Sequence, residues 1–237
     1  MRLENINLDC VDSAVSGTFW AAALGAEIIT REPTLWEARL RMGEFWMDLC
    51  FETVPEPGPG PREHRLHLDL AGGENPQQVE ERLLERGARR VDIGQGEVPW
   101  TVLTDPEGRP FCVLEDRPEY QGGGPIAALP LESADPDRDA LFWQTMTGWE
   151  RANHQVPALR HPSRLGPLLE LCPEQGPKDA RKNRMHLDLR PTDGQTQEEL
   201  VGLAVRGGAE VLTPSGRFPW AILADPSGNE FCILAAA

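Results

Sequence analysis

The chain has 237 residues, a net charge of −15 and 40% hydrophobic residues, which is enough apolar material for a packed core in each of two ordinary domains. So large an acidic excess argues against nucleic acid and anionic membranes as partners, since both require a basic face. No apolar run approaches the roughly 20 residues of a membrane span, and Met1-Arg-Leu-Glu-Asn5 leads into patterned sequence without an apolar leader, so a cytoplasmic protein is the expectation.

In chain order, Asn5-Ile-Asn-Leu-Asp-Cys10 alternates, with Ile6, Leu8 and Cys10 on one face; period two predicts a half-buried strand. A helix follows from a cap at Asp12 or Ser13 through Phe19, Trp20 and Leu24, closed by Gly25. Leu35–Arg41 and Phe45–Phe51 read as strands joined at Met42-Gly43-Glu44. The unit then restarts. Arg65–Leu70 is a strand and Pro76–Arg86 a helix stopped by Gly87. Strands are predicted near Arg90–Ile93, Thr101–Thr104 and Phe111–Glu115, the last two joined by the turn Asp105-Pro-Glu-Gly108. Gly122-Gly-Gly-Pro125 is a linker. Asp135 then caps a helix that has Pro136 at its first position and stops at Gly148. Strands near Ala158, Leu168–Cys172 and Met185–Leu189 come next, followed by a helix with Leu200, Leu203 and Ala204 that ends at Gly207. Glu56-Pro-Gly-Pro-Gly-Pro61 and Cys172-Pro-Glu-Gln-Gly-Pro177 punctuate the two halves at the same place.

The sequence is written twice. Arg65-Leu-His-Leu-Asp-Leu70 recurs as Arg184-Met-His-Leu-Asp-Leu189, Pro99-Trp100 as Pro219-Trp220, and Phe111-Cys-Val-Leu114 as Phe231-Cys-Ile-Leu234. Two duplicated domains, 1–119 and 120–237, follow, each holding two strand-helix-strand-strand-strand units. The five cysteines include no Cys-x-x-Cys pair and lie in apolar runs, which reads as reduced thiols. Cys50 is paired here with Cys172, and Cys112 with Cys232.

Strand alternation sorts the polar residues. Leu66, Leu68 and Leu70 share the face that covers the helices, so His67 and Asp69 project from the other; His186 and Asp188 do the same in the second copy. Asp48 and Glu170 are acids held mid-strand among apolar residues and are matched as partners. A concave face presenting Asn5, Asp48, His67 and Cys112, with Trp46, Trp100 and Trp220 as aromatic wall, describes a small-molecule pocket. Histidine, carboxylate and thiolate together suit a borderline metal such as zinc. Asp69 and Asp188 are read as pocket residues that orient the histidines. Asp48 and Glu170 could instead pair with arginine, and Cys112 and Cys232 could be small buried hydrophobes.

Four βαβββ units, the His-Leu-Asp-Leu strand and the closing Asp-Pro-x-Gly-x-x-Phe-Cys strand resemble the vicinal oxygen chelate superfamily of glyoxalase I, extradiol dioxygenases and bleomycin resistance proteins, and its glyoxalase-like group in particular. The resemblance implies an α+β fold of four βαβββ units in two duplicated domains with cupped mixed sheets. It also implies a divalent metal (Zn, Fe, Mn or Ni) and a lyase, isomerase or dioxygenase reaction on vicinal oxygens. Carried over by motif, its ligand positions fall on Asn5, Asp48, His67 and Cys112 in copy one, and on Ala128, Glu170, His186 and Cys232 in copy two. Cys stands where the family has Glu in both copies, Asn5 is a poor ligand and Ala128 is none. Sites that mix copies would group Asn5 and Asp48 with His186 and Cys232, and Glu170 with His67 and Cys112; the sequence leaves both pairings open. Asp48 and Glu170 are the expected general bases. The alternatives are a metal-free sequestering protein resembling bleomycin resistance proteins, favoured by the charge and the missing first-strand ligands, and a vestigial pocket. Monomer and homodimer both remain open.

Overall fold

In the computed structural model, which describes residues 1–55, 64–213 and 216–236, the four units are each a strand, a helix and three strands. The first comprises β1 (Arg2–Cys10), α1 (Ser13–Leu24), β2 (Glu27–Arg31), β3 (Leu35–Met42) and β4 (Phe45–Thr53). The second has β5 (Asp69–Ala71), α2 (Pro76–Glu85), β6 (Arg89–Arg90), β7 (Thr101–Thr104) and β8 (Pro110–Leu114). The third has β9 (Ile126–Ser133), α3 (Pro136–Thr147), β10 (Glu150–Ala152), β11 (Ala158–Arg160) and β12 (Leu168–Pro173). The fourth has β13 (Met185–Arg190), α4 (Gln197–Arg206), β14 (Glu210–Val211), β15 (Ala221–Ala224) and β16 (Glu230–Ile233). The proline-glycine segment at Glu56–Pro61 lies outside the described residues.

The helix ends obey the capping chemistry expected of them. Asp12 accepts from the backbone N–H of Ala14 and Val15, and Asp135 from that of Arg138. Thr196 and Glu199 form a reciprocal capping box. Gly25 and Gly148 end their helices at φ 66° and 70°, a left-handed conformation that side chains disfavour.

Two eight-stranded sheets result, and each takes one unit from either copy. Sheet A has the order β14-β15-β16-β13-β1-β4-β3-β2, joining the first unit to the fourth; sheet B has the order β10-β11-β12-β9-β5-β8-β7-β6, joining the third to the second. The seams are antiparallel, β1 on β13 and β9 on β5. The structure thus groups the residues in the mixed manner that the sequence left open.

Helices and turns, unlike the sheets, join the two units of one copy, and do so alike in both copies. The fully buried Trp20 of the first unit donates its indole N–H to Asp105 of the second (3.1 Å), and Trp143 does the same to Asp225 (3.2 Å). The rings of Phe19, Trp20 and Phe111 meet edge-on or tilted, as do those of Phe142, Trp143 and Phe231. One large apolar cluster lies on the helix side of the sheets and includes Leu66, Leu68 and Leu70 as well as Leu187 and Leu189. The leucines of both His-Leu-Asp-Leu strands therefore face the core, as alternation predicts.

Two elements differ from the sequence reading. Glu27–Arg31, which carries no distinctive motif, forms an edge strand. The strand expected at Arg65–Leu70 is regular only over Asp69–Ala71, with an isolated bridge between Leu66 and Leu131. The cause is Pro130 on β9: its carbonyl accepts from the His67 N–H (3.3 Å), but it has no N–H to return, so the ladder breaks there.

Candidate metal and ligand site

Register across the sheets sets which side chains meet. In sheet A one row runs Arg39, Asp48, Asn5, Asp188, Cys232, Ile222 on six adjacent strands. The next row holds Glu37, Cys50, Asn7 and His186. In sheet B the corresponding rows are Leu168, Ala128, Asp69, Cys112, Val102 and, beside them, Ala158, Glu170, Pro130 and His67.

These registers correct the matching of Asp48 with Glu170. Asn5 lies opposite Asp48, whereas Ala128 lies opposite Leu168; Glu170 occupies the place of Cys50, two residues further on. The pairing of Cys50 with Cys172 slips by the same two residues. The similar strings Asp48-Leu-Cys50 and Glu170-Leu-Cys172 suggest a match that the hairpins do not keep. The first unit turns tightly at Gly43, while the third spends residues 161–167 on its loop.

The structure brings together His67, Asp69 and Cys112, and separately His186, Asp188 and Cys232. In each group one ligand atom per residue lies within 4.8 Å of the others. The His67 Nε2 is 3.4 Å from Asp69 Oδ1, and His186 Nε2 is 3.3 Å from Asp188 Oδ1. Both contacts have the spacing of an ion pair without hydrogen-bond alignment; among the described residues Asp69 Oδ1 and Asp188 Oδ1 are buried without hydrogen-bond partners, and so, at the other ring nitrogen, is His186 Nδ1. Asn5 donates to the other oxygen of Asp188 (3.2 Å). Burial alone would lower the His186 pKa, but Asp188 and Cys232 more than offset it and bring it up to about 10. The protein packed around His67 acts in the same downward sense and Asp69 against it, with a net rise. Burial pushes the Cys112 thiol up, and the Asp69 charge adds to the shift. Cys232 is also raised by burial, with His186 opposing.

Asp48 and Glu170 stand outside both groups. Both oxygens of Asp48 accept from Arg39, at 2.8 and 2.7 Å. Glu170 Oε1 accepts from the Tyr120 hydroxyl (3.0 Å) and lies 3.0 Å from His154 Nε2. The sequence reading passed over Tyr120 and His154: one sits in a short 3-10 turn and the other in the loop after β10, where no periodicity marks a facing. That Tyr120 is the only tyrosine was the available signal.

Of the tryptophans, Trp46 lies between the guanidinium groups of Arg2 and Arg39 (3.7 and 3.9 Å to the ring centroid), and Trp220 stacks on Phe218 (5.4 Å). Trp100 packs against the small apolar cluster of Val102, Cys112, Tyr120, Ala128 and Leu168 inside sheet B.

The two cups differ in access. His67 and Cys112 line a cavity of about 550 Å³ together with His64, Val102, Lys178 and Asn183. Asp69 and Cys112 are as buried (8 and 9% exposed) as Asp188 and Cys232 (3 and 6%); the difference lies in the histidines, His67 being half-buried and His186 only 7% exposed. A divalent ion suits both groups chemically: nitrogen, carboxylate oxygen and sulfur are the ligands of zinc, and the partnerless carboxylate oxygens are acceptors left for a cation. Three protein ligands beside a cavity leave room for a substrate atom in sheet B, as catalytic sites require.

Two mixed eight-stranded sheets built from four βαβββ units are the architecture of the glyoxalase fold, here carrying a histidine, an acid and a thiol in each sheet. The chain belongs to the Glyoxalase-like domain family, whose model matches residues 5–114 and 128–234. Among solved structures, it is similar to glyoxalase I from Zea mays, at TM-score 0.68 and 16% identity over 99% of this chain and 92% of that one. It is also similar to a protein from Bacillus subtilis named as a proposed dioxygenase, at TM-score 0.63 and 16% identity over 98% of this chain and 84% of that one. No functionally curated protein matches the sequence.

Proposed function

We propose that the chain is a small-molecule enzyme of the glyoxalase-like type, working in the sheet B cup, with His67, Asp69 and Cys112 holding a divalent metal. The carrying observation is that three ligand atoms of the right chemistry lie within 4.8 Å of one another and that His67 and Cys112 open onto a cavity of about 550 Å³. The metal, when bound, supplies Lewis acidity toward two adjacent substrate oxygens. Glu170 is the general base. Tyr120 and His154 both engage its Oε1, fixing the carboxylate and leaving Oε2 to take a proton. Val102 gives the cavity an apolar wall beside His67 and Cys112, backed by the buried Ala128 and Leu168. Sheet A keeps the same three ligand types but buries them, which suits a structural role.

Elemental analysis after chelation and reloading tests this reading. Each metal-binding cup retains one divalent ion, and His67→Ala lowers the metal content and abolishes turnover. A chain that retains no divalent metal after reloading overturns the proposal. The second reading, metal-free sequestration of a cationic molecule, is favoured by the excess of 38 acidic over 23 basic residues. It predicts ligand binding that chelators leave untouched.

A further inference from the structure

The flank of sheet B opposite the metal group holds a cavity of about 870 Å³, lined by Arg160, Arg164, His154, Gln155, Ala152 and Leu168 among others. Its lining is largely polar, with Leu168 of the small cluster inside the cup and Ala152 packed against that cluster as the apolar part. Arg160 is only 8% exposed, yet no carboxylate pairs with it among the described residues. Among the described residues its guanidinium donates only to backbone carbonyls, those of Glu119 and Arg164. Burial, with Arg164 close by, pulls its pKa down, but an arginine stays charged under any working condition. A buried charge without a counter-charge is expensive, and in a chain with 38 acidic residues its lack of one is unexpected.

The other sheet supplies an internal control. Asn5 corresponds to Ala128, and the register outward from them makes Arg39 on β3 the counterpart of Arg160 on β11. Arg39 faces Asp48 and holds both its oxygens. Extending the β11–β12 register by one step places Leu168 opposite Arg160. Sheet B therefore keeps the arginine, replaces its carboxylate partner with leucine, and opens a cavity at that place.

We propose that this cavity binds a small carboxylate with an apolar body, its carboxylate forked onto Arg160 where Asp48 sits on Arg39, and its body over Leu168 and Ala152. Planar two-point recognition of a carboxylate is what a guanidinium does best. Arg164 stands at the exposed rim and adds charge without burial. The site is independent of whether the His67 group binds metal.

The test uses the full chain, with benzoate as probe, benzamide as its neutral isostere and phenyl phosphate as the alternative anion, titrated by calorimetry at low-millimolar concentrations. Benzoate binds, benzamide does not, and Arg160→Gln weakens benzoate at least about tenfold, the worth of a charged hydrogen-bonded contact. Leu168→Asp rebuilds the sheet A pair within the protein; it abolishes benzoate binding and raises the melting temperature. Arg164→Gln weakens binding only slightly. Absence of benzoate binding overturns the proposal, as does equal binding by Arg160→Gln or Leu168→Asp. Binding of phenyl phosphate alone overturns the carboxylate assignment. The melting temperature of each variant establishes that a lost signal is not lost folding.

Discussion

Where sheet A sets Asp48 against Arg39, sheet B sets Leu168 near Arg160; where sheet A buries its histidine, acid and thiol, sheet B places two of them on a cavity wall. The halves descend from one repeated sequence and keep the same strand order. Their difference teaches that two sheets of one topology can diverge through a single charge partner on the inner face, Asp48 against Leu168, alongside the longer 161–167 hairpin loop. An internal carboxylate closes the arginine of one sheet, and its loss leaves the other able to meet a ligand.

The largest predicted effect breaks the likeness between the copies. Asp105 forms a fully buried pair with Arg109 (2.7 Å), while its counterpart Asp225 binds the neutral Asn229. Asp105→Ala strands that guanidinium and is expected to cost about 3–5 kcal/mol in urea denaturation; Asp225→Ala costs about 1–3 kcal/mol, as for unsatisfied neutral groups. Equal losses would mean that the Arg109 charge is compensated elsewhere. Next, Asp48→Leu gives sheet A the arrangement of sheet B. It should cost about 2 kcal/mol, less than a fully buried pair because the Arg39 side chain is 25% exposed. Smaller again is the contrast between the histidines. His186→Ala, which leaves Asp188 buried without its neighbour, should cost about 1–2 kcal/mol, and His67→Ala, at a side chain 32% exposed, under about 1 kcal/mol.

The smallest effect is a pH dependence read at His154, beside sheet B. The Glu170 contact raises the His154 pKa above its ordinary 6.5. The pair's stabilisation is therefore fully present below 6.5 and lost as pH rises through the higher folded value. The advantage of the wild-type chain over His154→Gln in denaturant midpoint should shrink from mildly acidic to alkaline buffer. An advantage that grows with pH would mean His154 is neutral in the folded chain.

Much of this was readable from the residues alone. Alternation in Leu66-His67-Leu68-Asp69-Leu70 put the histidine and acid on one face and the leucines on the other, because a strand's geometry is local. The caps of α1 and α3 at Asp12 and Asp135 were legible for the same reason. What sequence could not supply was lateral register. Asp48 and Glu170 look like partners in their own strands, and only the ladders to β1 and β9 reveal the two-residue slip. Asp69 and Asp188 were read as orienting residues, and their position beside the thiols depends on pairing with β8 and β16, far along the chain. Tyr120 and His154 reach Glu170 from irregular segments, where pattern carries no direction.

The exchange of units between the sheets also has a consequence for how the chain comes to be folded. All strands of sheet B lie within one continuous stretch, Asp69–Pro173, whereas sheet A must hold β1 to β4 waiting until β13 to β16 arrive. Such distant pairing is slow, because a long loop must close before any contact rewards it. On the ribosome the interior of the chain is thus expected to organise ahead of its ends, with the first strands exposed until the last quarter of the chain returns to cover them.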